Sequence, residues 1–354
     1  MSIKYRFLEV SDEIQYQEFI SKCDSALFYH SLKYKKFLER ILATSVSRYL
    51  IAVEENKIIA VLPMFVLKTE SGVIVNSLPF FGSHGSVIAL ANTNNVVKRE
   101  LLQKYLEFCE SLEALSGTII SNLEDPDHNL LESIKADYQD FRTGQITFLP
   151  PLSTDIEMSI MSILHSKTRN SIRKGLKSGL VFQIDDNPKV LSEIYYLHCD
   201  NLRLLDGIPK PLEMFEAIST CFKRSEDYEI FTARTKSGQL VSGLLVFYFK
   251  DWVEYFVPAT NERFRSMQPL SAVIYLAMKH SMIHKSSRRW NWGGTWPSQS
   301  DVYFFKSRWG SKEFPYKYFT KEFSRISIKD SFCASDLLES FKYFYSIPFS
   351  ELNS

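Results

Sequence analysis

A chain of 354 residues, 45% apolar and 23% charged, is long enough for two domains with substantial cores and has an ordinary globular composition. Its formal net charge of +1 excludes a strong global field, so any binding of phosphate or nucleic acid has to come from local patches. Five widely spaced cysteines without a CxxC pair argue against a disulfide scaffold and suit the reduced thiols of a cytoplasmic protein. The N-terminus lacks a signal-peptide apolar core, and no uncharged apolar run approaches the roughly 20 residues of a membrane span.

In chain order, residues 1–50 predict a short strand from Tyr5 to Glu9, a helix after Ser11-Asp12, and a basic helix LKYKKFLERILA capped by Ser31. Two strands follow, Arg48 to Glu54 and Lys57 to Lys68. They are joined across Glu55-Asn56 as a hairpin, with Pro63 marking an edge or a bulge. SLPFFGSHGSVIA is a glycine-punctuated loop leading into a strand. Then come an amphipathic helix over 95–114, a buried strand from Gly117 to Leu123, a turn at Asp125-Pro126-Asp127-His128 and a strand from Gln145 to Leu149.

Residues 153–180 read as helix, with Ile156, Ile160, Leu164, Ile172 and Leu176 on one face. His165, Lys167, Arg169, Arg173, Lys174 and Lys177 cover the remainder, and no acidic residue offsets them. The plain reading is a solvated basic face; the alternative is a surface for phosphates or an RNA backbone. A helix over Pro188 to Leu205, the loop Asp206 to Pro211, a further helix and two strands, Glu229 to Lys236 and Leu240 to Lys250, come next.

The stretch from Asp251 to Gly310 concentrates the chemistry. Val253, Tyr255 and Val257 alternate along a strand. Pro269 opens a helix whose apolar face is Leu270, Val273, Ile274, Ala277, Met278 and Met282. A strand and loop that end at a helix N-terminus present free amides to an anion. RRWNWGGTW then ends a strand on a double glycine, and Tyr303-Phe304-Phe305 leads into Lys306. His280 and His284 stand at a metal-pair spacing without an acidic partner, so no metal is expected. His84, beside Gly85, is a loop histidine able to relay a proton.

Together these blocks resemble the FemAB-like branch of the GNAT-fold acyltransferases, which includes peptidoglycan-bridge aminoacyltransferases and acetyltransferase-like proteins of polysaccharide clusters. The blocks are the aromatic-and-lysine helix Phe28 to Phe37, LPFFGSHGS, SKTRNSIRKGLKSGL, Asn201-Leu202-Arg203 with Gly207-Ile208-Pro209, and above all WNWGGT followed by FFKSRWG. The resemblance implies a mixed α/β (α+β) fold of two tandem GNAT-like domains, each a mostly antiparallel mixed sheet flanked by helices. Residues 1–152, joined by 325–354, would form the acceptor side, and 153–324 the donor and catalytic side.

It further implies acyl transfer, acetyl or aminoacyl, to an amino group of a nucleotide- or lipid-linked cell-surface polysaccharide or peptidoglycan precursor. Acetyl-CoA or aminoacyl-tRNA would be the donor, and the protein would work in the cytoplasm, near the membrane only through its substrate. Lys306 is the catalytic candidate. Lys33, Lys36, Arg203, Tyr255 and Trp292 are candidates for substrate binding. Met267, Gln268, Gly293, Gly294, Arg169 and Arg173 are candidates for donor binding. Two departures stand out: the loop Arg263 to Gln268 lacks the glycines of a standard coenzyme A pyrophosphate loop, and the second half has no coiled-coil insertion. The alternative is a non-catalytic protein of the same fold that binds RNA or a phosphorylated ligand.

Overall fold

The computed structural model describes residues 3–80, 84–123, 128–204 and 207–352. Phe81 to Ser83 of the glycine loop, Asp125 to Asp127 of the expected turn, and Leu205 and Asp206 lie outside the described residues. The chain divides into two units, Met1–Arg142 with Pro315–Ser354, and Thr143–Phe314.

The first segment runs β1 (Lys4–Phe7), α1 (Glu13–Lys22), α2 (Leu32–Ile41), β2 (Ser45–Ser47), β3 (Leu50–Glu54), β4 (Lys57–Leu62), β5 (Phe65–Thr69) and β6 (Gly72–Asn76). It continues through β7 (Ile88–Ala89), α3 (Asn95–Ser111), β8 (Ser116–Ile120), α4 (His128–Leu131) and β9 (Tyr138–Phe148). The middle segment holds α5 (Ile156–Ile163), α6 (Ser166–Leu176), β10 (Val181–Ile184), α7 (Val190–Arg203), α8 (Leu212–Cys221), β11 (Tyr228–Arg234), β12 (Leu240–Phe249), β13 (Trp252–Thr260), α9 (Pro269–Lys285), β14 (Arg289–Thr295) and α10 (Ser300–Ser307). β15 (Ser311–Glu322), α11 (Ile328–Ser331) and α12 (Ala334–Ser340) complete the chain.

In the first unit, β1-β3-β4-β7 form one antiparallel sheet. The β3–β4 hairpin turns at Glu55 and Asn56, both at positive φ (48° and 60°), the backbone that a two-residue turn between twisted strands requires. The expected single strand over 57–68 is two strands in different sheets: Pro63, without an N–H to donate, separates β4 from β5. β5 pairs with β2 and β6, β6 runs parallel to β8, and β8 pairs antiparallel with the Tyr318–Glu322 part of β15. α3, capped by Asn94, buries Val97, Leu101, Leu102 and Tyr105 over this sheet core. The aromatic tail packs back: Ile328, Leu337, Phe341 and Ile347 are buried with Leu67 and Ile74.

In the second unit the strand order is β10-β11-β12-β13-β14-β9. Every pairing is antiparallel except β13 with β14, which α9 connects. The periodicity of α9 is realised: Val273, Ile274, Ala277, Met278 and Met282 are buried with Trp290, Trp292 and Trp309.

The stretch 153–180 is two helices rather than one. Leu164 and His165 are extended (ψ 146° and 148°), and His165 Nδ1 accepts from the Lys167 N–H at 3.2 Å, capping α6. Apolar spacing continues across the break because Leu164 is buried there as it would be within one continuous helix; Leu176, expected inside, is 41% exposed.

Candidate active site

The second unit builds its site where β13 and β14 part. The parallel pairing stops at Glu254 and Asn291. Beyond it the partner strand β9 places only Gln145 opposite Trp292 and Gly293, so β14 bulges there. Gly293 has φ +71°, and a Cβ there would meet nothing within 4 Å, so its glycine answers to backbone conformation rather than crowding. Its N–H donates to Asn291 Oδ1 at 2.9 Å, and Asn291 Nδ2 donates to buried Glu254 at 2.7 Å.

Lys306 reaches this bulge from α10. Its Nζ donates to the carbonyl oxygens of Gly293 (3.2 Å) and Gly294 (3.0 Å) and to Thr295 Oγ1 (2.8 Å). All three acceptors are neutral, and Lys306 is 5% exposed. Burial pushes its pKa down to about 7, so protonated and neutral forms are both populated near neutral pH. A second layer fixes the geometry. Thr295 Oγ1 donates to Gln145 Oε1 at 3.3 Å, while Gln145 Nε2 donates to the Tyr303 carbonyl and to Ser311 Oγ, both at 3.2 Å.

Behind the bulge, Trp292 is a core residue. Its Nε1 donates to Thr147 Oγ1 at 2.8 Å, and its ring packs 4.9 Å from that of half-buried Tyr255. At the other end of β13, Gln268 adopts a left-handed conformation (φ 60°, ψ 40°) and Pro269 begins α9, leaving first-turn amides without helical acceptors. Gly175 of α6 lies against this point: a Cβ there would come 2.5 Å from the Gln268 carbonyl oxygen. Met267 and Gln268 are half-buried beside exposed Arg263 and Arg265, the latter ion-paired with Glu262 at 3.1 Å.

The remaining candidates are dispersed. Arg169 Nη1 donates to the Leu164 carbonyl at 2.6 Å, closing the end of α5, whereas Arg173 is exposed. Arg203 is exposed and paired with Asp200 at 2.9 Å. Lys33 and Lys36 belong to the first unit, exposed on α2, and Lys36 pairs with Glu13 at 2.7 Å. His280 Nε2 sits 2.9 Å from Glu229, with the His284 ring 4.5 Å away; among the described residues no group of three His, Cys, Asp or Glu side chains is arranged to hold a metal ion. Thr295, Gln145, Asn291 and Glu254 are absent from the sequence-derived candidates. The signal for them is a polar residue breaking an apolar strand, as Asn291 does between two tryptophans.

Residues 164–294 match the family described as Acetyltransferase (GNAT) domain. The GNAT match ends at Gly294, one of the carbonyl groups that Lys306 contacts, so it takes in α6, α9 and most of β14. The whole-chain fold agrees with it. The crystal structure of FemX superposes with a TM-score of 0.68 at 13% identity, covering 89% of this chain and 96% of that one. A tandem GNAT protein from the clavulanic acid biosynthesis pathway gives 0.53 at 7% identity, covering 92% and 100%. The C-terminal domain of a putative lysylphosphatidylglycerol synthetase from Agrobacterium fabrum gives 0.54 at 10% identity, covering 87% and 91%. No protein of curated function matches the sequence. At these identities the likeness is one of fold, a mixed α/β tandem GNAT architecture. No helix among the described residues is long and apolar enough to cross a membrane.

Proposed function

We propose that the chain is an acyltransferase that moves an acetyl or aminoacyl group onto an amino group of a cell-surface polysaccharide or peptidoglycan precursor, and that Lys306 is its catalytic residue. The observation that carries this reading is a buried lysine with a pKa near 7, held on strand-end carbonyl groups at the edge of a GNAT domain.

The acceptor amine attacks the acyl carbonyl carbon, forming a C–N bond and placing negative charge on the carbonyl oxygen. Collapse breaks the bond to the donor's sulfur or oxygen, and the amine's extra proton must leave. As an ammonium, Lys306 fills its three contacts and brings positive charge to the bulge. As a neutral amine it donates two hydrogens and has a lone pair free to take a proton. A lysine poised between the two forms suits that step at neutral pH.

The donor is proposed to lie along the parted strands, with Gly293 and Gly294 beside its acyl end and the α9 amides near Met267 and Gln268 beside its phosphates. The match to an acetyltransferase family supports acetyl-CoA; the basic side chains of α6, among them Arg173, support aminoacyl-tRNA. Lys33 and Lys36 of the first unit are proposed to bind phosphates of a nucleotide- or lipid-linked acceptor, and the reaction is assigned to the cytoplasm.

Thermal-shift titration with coenzyme A and with tRNA, followed by turnover assays with the donor that binds, tests the reading. Stabilisation by coenzyme A with turnover abolished in Lys306→Ala is the expected result. Binding without turnover of either donor class would replace catalysis by a non-catalytic role in holding RNA or a phosphorylated ligand.

A further inference from the structure

Pro209-Lys210-Pro211 leads the chain into α8, and the two prolines restrict its backbone. The Lys210 N–H donates to His198 Nε2 of α7 at 3.1 Å, which pins the residue beside that helix. Its Nζ reaches β13, 5.2 Å from the centroid of the Phe256 ring. Ile208, 57% exposed, and exposed Pro209 leave this edge open to solvent, and Lys210 itself is half-buried.

Phe256 holds a special place in its strand. β12 pairs Leu245 with Val257 and Val246 with Tyr255, so Phe256 is the extra residue of a β-bulge. Bulges re-aim side chains and gather next to active sites. This one lies two residues past Glu254, the last residue of β13 paired with β14, and Gly293 lies two residues past its partner Asn291. Phe256 and Gly293 therefore stand at matching positions on the two parted strands. The Phe256 ring packs 4.9 Å from that of Phe247, which in turn meets Phe222 at the end of α8. Tyr255 packs on Trp292 in the core beneath α9. Lys210 thus reaches the parting from the sheet face that α7 and α8 cover.

Acyl transfer through Lys306 leaves this second amine unused. An aromatic face attracts an ammonium but repels a lone pair, so a neutral amine turns its lone pair away from Phe256. Burial pushes Lys210 down to about 7, which populates that neutral form near physiological pH. Desolvation in apolar surroundings is one way a lysine becomes a nucleophile.

We propose that Lys210 is a self-modification site, taking an acyl group from a thioester onto its own Nζ at the parting of β13 and β14. The Nζ lone pair attacks the carbonyl carbon and an N–C bond forms. The C–S bond breaks, the sulfur leaves with the bonding pair, and the proton shed by nitrogen passes to it. The product is a neutral amide, so the modification removes a charge beside the parted strands. The source of the acyl group rests on the reading given above for the donor; the nucleophile does not.

The test exposes the full chain to S-acetyl-N-acetylcysteamine, a thioester without phosphates, and reads the initial acetylation rate of each lysine by peptide mass spectrometry. At pH 7.5 most of an amine with a pKa of about 7 is free base, against about one part in a thousand for an ordinary lysine near 10.4. The weaker base is also the weaker nucleophile, as for thiols, which takes back much of that advantage. We expect Lys210 to be acetylated at least roughly tenfold faster than exposed Lys236 of the same unit. Its rate should level off above about pH 8 while that of Lys236 keeps rising. A Lys210 rate equal to or below that of Lys236 at pH 7.5 overturns the proposal. No bound donor or acceptor takes part in this measurement, so a chain without acyl turnover can still show the reactive Lys210, and an active chain can still lack it.

Discussion

Lys306 Nζ lies 3.0 Å from the carbonyl oxygen of Gly294, twelve residues earlier in the chain, and no carboxylate is among its hydrogen-bond partners. The ammonium is therefore held by dipoles alone, and burial lowers its pKa from 10.5 to about 7. Between those values the unfolded chain binds a proton that the folded chain has released, so unfolding free energy contributed by this group rises with pH from about 7 towards 10. We expect the difference in stability between wild type and Lys306→Met to grow in favour of wild type over that window, by roughly 1.4 kcal/mol per pH unit at most. Paired denaturant titrations at several pH values measure it. A constant difference would mean that Lys306 keeps its ordinary basicity.

The same lysine separates charge from proton transfer. Lys306→Arg keeps the positive charge but cannot release a proton near neutral pH. We expect kcat to fall about 100-fold, the scale of a lost acid–base group, and any limb of the pH–rate profile near 7 to disappear. Retained activity with an unchanged profile would assign Lys306 a purely electrostatic part.

How much of this is legible in the sequence differs from residue to residue. Lys306 stands out because three aromatics precede it, and Gly293-Gly294 because a double glycine ends an apolar strand. Gln145 does not, since its relevance comes from pairing β9 beside β14, a contact more than 140 residues distant that no local pattern encodes. β15 escapes for a similar reason: Pro315 and the lysines of KEFPYKYF disguise a strand in which Tyr316, Tyr318 and Thr320 are buried. The break between α5 and α6 is invisible because Leu164 preserves the apolar spacing while its backbone is extended.

Asn291 supports the bulge from both sides, accepting from Gly293 N–H and donating to Glu254. Asn291→Leu would leave Glu254 without that donor and the Gly293 turn without its acceptor. The loss of a buried partner to a carboxylate costs about 2–4 kcal/mol. Asn291→Asp would instead set two carboxyl groups within hydrogen-bonding distance and favour their sharing one proton. We expect its stability deficit to shrink on acidification below neutral pH, whereas that of Asn291→Leu should not. Melting curves at pH 5 to 8 compare the two.

Gly310 follows α10 with φ +73°, and a Cβ there would come 2.5 Å from the Ile163 carbonyl oxygen, a backbone atom that cannot rotate aside. Gly310→Ala therefore combines left-handed strain with a clash, and we expect a loss of about 2–4 kcal/mol. The displaced residue sits four positions from Lys306, so turnover should fall as well. Gly238 provides the control: it is at φ +90° but has open space, so Gly238→Ala should show the strain component without the clash. Equal destabilisation of the two variants would remove the packing argument.

Acid should weaken each unit through one buried histidine. Burial lowers His84 in the first unit to about 4; burial, with the charge of Lys210, does the same to His198 in the second. Both are neutral in folded and unfolded chains above pH 6.5. As the pH falls from about 6.5 to 4 the unfolded chain gains protons that the folded chain refuses, so stability drops across that window and levels off below it. His198 Nε2 also accepts from the Lys210 N–H at 3.1 Å, a bond that protonation would forfeit. Replacing His84 by Gln, which does not titrate, should flatten the acid limb of the first unit's unfolding transition and leave that of the second unchanged. Calorimetry at pH 4.5, 5.5 and 7 follows the transitions. An acid limb unchanged in His84→Gln would show that other groups, not this imidazole, govern the first unit's acid sensitivity.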